Sequence, residues 1–415
     1  MYEFAMHRGD ASRRGWYGAS YGDRPEWSVP WVSKSTPDQA PAPAQPARSG
    51  FWGTLLDIGK VLVEVGMSAL SMNNPLAPSP VVAGSNVYGW NNRNVLCCWD
   101  AFTGGIKWQT GQEVRGPQVM PTPALAEGVV VVAEADQLCG FDATTGEKRW
   151  SRTMAGWCST ALLQGGVAYV IDDTGVLDAS QIWSGRRMWS ARLTDEGGGR
   201  TSISAAPSSD GRTLFASGSF GLYAIDPVRR QLLWHRNEDE LSFTAPALFG
   251  GYVYITATGG VIDMTRWKTR DYEAGFLTAV RADSGRELWS RELAGESTIS
   301  SATVSSGLAI VGDASGVVHA FDSANGQPHW TYTTGGPVWS SPSVSGNTVF
   351  FGSKDGHLYA LDIGTGRLRW NYQAAAPILA APAVGQGFVF VYDVEGSLYA
   401  VDAATGRGPV IEAGG

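Results

Sequence analysis

The chain has 415 residues, 43% of them hydrophobic, and a net charge of −8. That is enough to bury a large core, and it is too acidic for a nucleic-acid footprint, which would be basic. Four cysteines without C-x-x-C spacing exclude a disulfide scaffold, and no apolar run is long enough for a membrane-spanning helix.

Residues 1–50 read as an extended tail ending in the Pro/Ala-rich linker 36–46, a semi-rigid spacer. The first residues lack the basic-then-apolar pattern of a secretory leader. A cytoplasmic location is the expectation, or an extracytoplasmic one if translation starts elsewhere. Residues 51–74 are expected to form an amphipathic helix. Gly53, Asp57, Lys60, Glu64, Ser68 and Ser71 make one narrow polar stripe at three- and four-residue steps. The remaining surface, including Phe51, Trp52, Leu55, Leu56 and Leu62, is apolar and needs a partner. One Lys and two acids give anionic lipid little to attract, so the helix is expected to dock on protein and not on a membrane surface.

From residue 75 to the end a period of about 40 residues takes over. Trp108, Trp150, Trp189, Trp234, Trp289, Trp330 and Trp370 follow one another at steps of 42, 39, 45, 55, 41 and 40 residues. Four residues before each stands a Gly, except Arg230 before Trp234; eight before, in five copies, stands Asp100, Asp142, Asp226, Asp322 or Asp362. In the copy 341–370, turn residues at Gly346-Asn347, Asp355-Gly356 and Thr365-Gly366 separate four short β runs. Repeated eight times, such units predict an all-β, eight-bladed propeller of four-stranded antiparallel blades over residues 75–415. The eighth copy, 402–406, has Val410 where the Trp should stand, and its fourth strand, 406–412, is degenerate. Glu26-Trp27-Ser28-Val29, similar to Arg149-Trp150-Ser151-Arg152, is the candidate to supply it.

The unit Ala-x-Asp-x-x-Thr-Gly-x-x-x-Trp, seen at 359–370 and 140–150, resembles the tryptophan-docking signature of the quinoprotein (PQQ)-like β-propeller family. The resemblance covers about 80% of the chain. It points to the non-catalytic BamB-type scaffold propellers more than to the PQQ dehydrogenases. It implies that each indole stacks on the Gly turn of a neighbouring motif while the Asp pins that turn. The dehydrogenase branch would imply quinone and calcium ligands on the top face, and calcium takes six to eight oxygens. The loops at 313–316, 354–356 and 394–396 are near-minimal hairpins with few carboxylates to offer. Cys97-Cys98 resembles the vicinal disulfide of those enzymes. The pair lies inside a third strand, however, where successive side chains point to opposite faces. His7, His235, His319, His329 and His357 show no metal spacing. No catalytic, cofactor or metal residue is therefore assigned.

Binding is expected where the repeat breaks. Blade 5 carries an insertion, residues 259–275, with Arg266, Trp267, Arg270 and Tyr272, residue types favoured at interaction hot spots. Three residues before each inner-strand start stand Ala77, Met120, Trp157, Ser204, Phe243, Ile299, Trp339 and Leu379, a set expected to ring the top mouth of the channel. The function expected is a non-catalytic scaffold or adaptor for protein partners, with no nucleic acid, acting as a component of a larger assembly. The alternatives are a PQQ-dependent oxidoreductase and a carbohydrate- or peptide-binding module using Trp157 and Trp339, since fold alone does not choose among them.

Overall fold

In the copy with the clearest motif, four strands run as an antiparallel meander: Ser343–Ser345, Thr348–Gly352, His357–Asp362 and Leu368–Gln373. The second strand is buried along its whole length, because Val349, Phe350 and Phe351 meet a neighbouring sheet on either face. The fourth alternates between exposed and half-buried positions, as an outer edge should. The computed structural model of the chain describes residues 32–33 and 78–408, except 92–93, 112–120, 135, 194–204, 219–220, 237–240, 260–274 and 294–299. Among them are eight such sheets and no helix. We number them blades 1 to 8 by their inner strands, which start at Val81, Ala124, Leu162, Ser208, Ala247, Thr303, Ser343 and Ala383. Blade 5 adds a fifth strand, Leu241–Phe243, on the long strand Tyr252–Gly259.

The ring closes between blades 8 and 1. Their inner strands lie side by side, and the Ala381 N–H donates to Ser79 Oγ at 3.1 Å. Val82, Cys97 and Trp99 of blade 1 share a core with Val384, Phe390 and Tyr399 of blade 8. The missing fourth strand of blade 8 is Val32–Ser33, paired antiparallel with Leu398–Asp402. This corrects the expected register. Val32 faces Tyr399, whose counterpart Tyr359 faces Asn371, the residue after Trp370. By that count the sequence match to Trp370 is Trp31 and not Trp27; both lie outside the described residues.

Seven tryptophans form the joints. The Trp108 ring lies where a Cβ on Gly146 would fall, 2.5 Å from its Cε3, and Trp370 does the same to Gly406 at 2.6 Å from its Cδ2. Both glycines have φ near +70°, at 75° and 68°, so the turn requires Gly for its backbone and for its bare face. Six of the indole N–H groups donate across the joint, those of Trp108, Trp150, Trp234, Trp289, Trp330 and Trp370, as from Trp108 to the Ala143 carbonyl at 3.0 Å and from Trp289 to that of Ser323 at 3.0 Å. The motif Asp pins the same turn. Asp142 Oδ1 accepts the N–H groups of Thr144 and Thr145 at 2.8 and 2.9 Å, the side-chain-to-backbone bond that Asp makes two residues on. One residue before every one of these tryptophans the ladder slips. Ala360 faces Trp370 but Leu361 faces Leu368, leaving Arg369 as an extra, outward residue. The same slip sets out Lys107, Arg149, Met188, Leu233, Leu288 and His329.

Candidate protein-interaction site

The top face carries the turns between second and third strands and the links between blades, and the two are hydrogen-bonded together. Between blades 6 and 7 the Val338 N–H donates to the Asp313 carbonyl at 2.9 Å, and the Lys354 N–H donates to the Pro337 carbonyl at 2.8 Å. The link between blades 7 and 8 repeats this, with the Ile378 N–H on the Ser353 carbonyl and the Val394 N–H on the Pro377 carbonyl, so these two links are each tied to both blades they join and stiffen that part of the face.

Trp157 and Trp339 stand on two of these links, at the entrances to blades 3 and 7. These blades face each other across an eight-membered ring. Trp157 is 51% exposed, its N–H held by Asp173 Oδ1 at 3.1 Å. Trp339 is half-buried, with the Lys354 ammonium 4.9 Å from its ring centroid. Phe243 and Leu379, at the matching positions of blades 5 and 8, are buried. Met120, Ala77, Ser204 and Ile299 lie outside the described residues, as do Arg266, Trp267, Arg270 and Tyr272 of the insertion and Phe51, Trp52, Leu55, Leu56 and Leu62 of the expected helix. Of the sequence-derived set, the described structure thus places two indoles at the surface and two side chains in the core.

Three carboxylates of the top hairpins, Asp172, Asp313 and Asp393, are buried, while Asp136 and Glu395 are exposed. Asp313 is fully buried: its Oδ1 accepts from the Ser315 N–H and hydroxyl at 3.0 and 2.7 Å and from the Val317 N–H at 2.9 Å, and its Oδ2 lies 2.7 Å from His319 Nε2. Burial alone would raise its pKa; these partners, His319 foremost, hold it below the usual carboxylate value. Asp393 binds its own turn in the same way and accepts the Tyr399 hydroxyl at 2.8 Å. Asp172 holds Thr174 and Val176. A fourth buried carboxylate, Asp178, joins two blades: Arg152 of blade 2 and Arg187 of its own blade both bind it, at 2.5 and 2.6 Å.

A quinone and calcium centre would need such oxygens free, and these residues do not fit one. Each buried carboxylate is already satisfied by backbone N–H groups, hydroxyls, His319 or arginines. Among the described residues no cluster of three His, Cys, Asp or Glu side chains could hold a metal ion. Cys97 and Cys98 are free thiols in the strand Leu96–Asp100, one in the core shared with blade 8 and the other in the core shared with blade 2. Burial pushes their pKa values up, to about 12 and about 11, so both are inert side chains of a strand buried on two faces.

Residues 51–270 and 273–408 match the sequence model of a family described as outer membrane protein assembly factor BamB. The chain belongs to that family. It is 23% identical over 292 residues to outer membrane protein assembly factor BamB from Yersinia pestis, a match covering 65% of this chain and 69% of the relative. The crystal structure of BamB from Moraxella catarrhalis superposes with a TM-score of 0.61 at 20% identity, over 77% of this chain and 92% of that one. A quinohemoprotein alcohol dehydrogenase from Comamonas testosteroni superposes with a TM-score of 0.60 at 15% identity, over 82% of this chain and 76% of that one. At these identities the solved structures share the propeller with this chain.

Sequence reasoning missed a second surface. The outward residue at the ladder slip differs sharply from blade to blade, and on blades 3 and 4 it is apolar and exposed. Its signal is the single position before each docking Trp, which the motif count treated as variable.

Proposed function

We propose that this chain is a non-catalytic scaffold that holds protein partners together during outer-membrane protein assembly. The observation that carries the reading is the commitment of the buried top-face carboxylates to their own turns. That arrangement braces the face and, among the described residues, leaves no ligand set for a quinone and its calcium. The family match over most of the chain supports the same role, and the indoles of Trp157 and Trp339, the latter beside the Lys354 ammonium, give the face two apolar contact points.

The test has two arms. Purified chain mixed with PQQ and calcium is expected to give no dye reduction with alcohols or sugars; clear turnover would make it an oxidoreductase. In cells, cross-linking a tagged chain is expected to capture outer-membrane assembly proteins. Recovery without any of them would remove the assembly role. Fractionation of the same cells against cytoplasmic and envelope markers reads the compartment. A peptide- or carbohydrate-binding role for the exposed indole predicts that Trp157→Ala abolishes ligand binding without changing the melt.

A further inference from the structure

The outward residue at the ladder slip sorts six blades into two groups, with His329 of blade 6 in neither. In blades 1, 2 and 7 it is a cation clamped by the motif Asp: Lys107 to Asp100 at 2.8 Å, Arg149 to Asp142 at 2.5 Å and Arg369 to Asp362 at 2.7 Å. Charges of this kind shield the open edge of an outer strand. In blades 3, 4 and 5 the same position is Met188, Leu233 and Leu288, all exposed. Blades 3 and 4 add Trp183 and Val228 in their turns and Leu232 on the strand; Val228 is 87% exposed and Trp183 53%.

These residues adjoin one another. Trp189, next to Met188, packs in one core with Tyr223 and Ile225 of blade 4, so the blade 3 edge sits beside the blade 4 turn that carries Val228. The strands Arg187–Arg192 and Gln231–Arg236 each end their sheet, so one side of each backbone is unladdered. The charge here also runs against that of the whole chain. Residues 181–192 and 226–236 contain six arginines and one acid, Asp226, in a protein of net charge −8. Arg187, Arg229 and Arg236 have carboxylate partners. Arg186, Arg192 and Arg230 form no ion pair among the described residues.

We propose that the outer rim of blades 3 and 4 docks an extended, acidic segment of a partner protein that carries apolar anchors. The proposal rests on the scaffold reading and names the surface that reading would use. The exposed Trp, Met and Arg are side-chain types enriched at interface centres, Leu232, Leu233 and Val228 add apolar area around them, and the surrounding arginines select negative charge. The open strand edges favour a polypeptide over a lipid surface. An added strand takes up the main-chain N–H and C=O groups and seats alternate side chains on Leu232, Leu233 and Val228, whereas a lipid head group leaves those groups unused.

The test uses the full chain and two fluorescein-labelled peptides of about ten residues, the length of a long strand, alternating Val or Leu with Glu in one and with Lys in the other. Vesicles of phosphatidylcholine with phosphatidylglycerol form a third arm. The Glu peptide is expected to bind at least roughly tenfold tighter than the Lys peptide, a difference of about 1.4 kcal/mol. The double variant Leu233→Glu, Arg230→Glu should weaken it roughly tenfold or more, while Leu368→Glu on blade 7 should not; thermal melts confirm that both variants fold. No binding of the Glu peptide, or equal binding by all variants, overturns the rim proposal. Vesicle binding sensitive to the rim variants, with no peptide binding, makes the rim a lipid surface instead. In either case capture of outer-membrane assembly proteins by cross-linking leaves the scaffold reading standing, whereas dye reduction with PQQ removes both.

Discussion

Blade 7 and blade 4 have one topology and two surfaces. In blade 7 the turn holds Asp362, Gly366 and Arg369 with the slip-position charge Arg369 paired to Asp362, and Trp370 closes on Gly406 of blade 8. In blade 4 the turn holds Asp226, Pro227 and Arg230, and Arg230 adopts a φ of 57° where the other blades place Gly. Yet Trp234 leaves blade 4 much as Trp370 leaves blade 7. Its ring closes on the bare face of Gly285, and its N–H donates to the Ala282 carbonyl at 3.0 Å, against 3.1 Å from Trp370 to Ala403. The joint therefore depends on a flat turn and a carbonyl in the next blade. The residues that point outward beside it can change without loosening the ring, and that is where the two blades differ in surface chemistry.

The largest expected effect separates these two kinds of position. Trp150 is buried, with its N–H on the Ile182 carbonyl at 2.7 Å, and Trp150→Ala should cost about 3–5 kcal/mol in denaturant melts. Leu233→Ala, at an exposed position one residue before a docking Trp, should change stability by less than about 0.5 kcal/mol. Similar losses for both would erase the distinction between joint and surface. A smaller loss, about 2–3 kcal/mol, is expected for Trp31→Ala, because Trp31 matches Trp370 in the register set by Val32–Ser33 and because a ring has to close only once. Trp27→Ala serves as the control. A melt that responds to Trp27→Ala and not to Trp31→Ala would move the closure back to the segment the repeat pattern favoured.

Arg230 offers a test in the stabilising direction. A non-glycine residue in the left-handed region costs about 1–2 kcal/mol, offset in part by the extra freedom Gly has when unfolded. Arg230→Gly should therefore raise stability by about 1 kcal/mol, while placing Arg at Gly366, φ 68° and with Trp330 against it, should lower it by more. If Arg230→Gly destabilises, the Arg side chain is itself part of the joint with Trp189.

Most of the fold was legible because its signal is repeated. A Trp four residues after a Gly of positive φ recurs, and each copy reports the same local physics, so a fault in one, such as Arg230, does not hide the period. The closure was half legible. The absence of a Trp near Val410 announced a missing strand, but a two-residue strand has no pattern of its own, and Trp27 and Trp31 both sit in strand-like sequence. The surface was least legible. Whether Phe243 and Leu379 are core or mouth depends on how neighbouring blades cover them, which spacing does not encode. The rim residues Met188 and Leu233 stand out only once the ladder slip shows that their position always points outward.

The smallest effect concerns charge on the regular blades. Asp142 is held down to about 2 by Arg149 first, then by the Thr145 and Thr144 N–H groups. A carboxyl whose folded pKa lies below its unfolded value near 3.9 stabilises the fold above about pH 4, and that contribution fades as the pH falls toward 2. The pair is partly exposed, at 33% for Arg149 and 23% for Asp142, so solvent screening limits it to about 0.5–1 kcal/mol. Asp142→Asn keeps an oxygen for the two N–H groups and removes the charge. It should therefore lower stability by up to about 1 kcal/mol at pH 7, with the gap to the parent closing as the pH approaches 2 and shrinking in high salt. The apolar slip position of blade 4 has no such pair, so Leu233→Ala should show the same small change at both pH values. A pH-independent loss for Asp142→Asn would mean that the carboxylate acts through the turn hydrogen bonds and not through Arg149, and the distinction between clamped and open rims would then rest on shape alone.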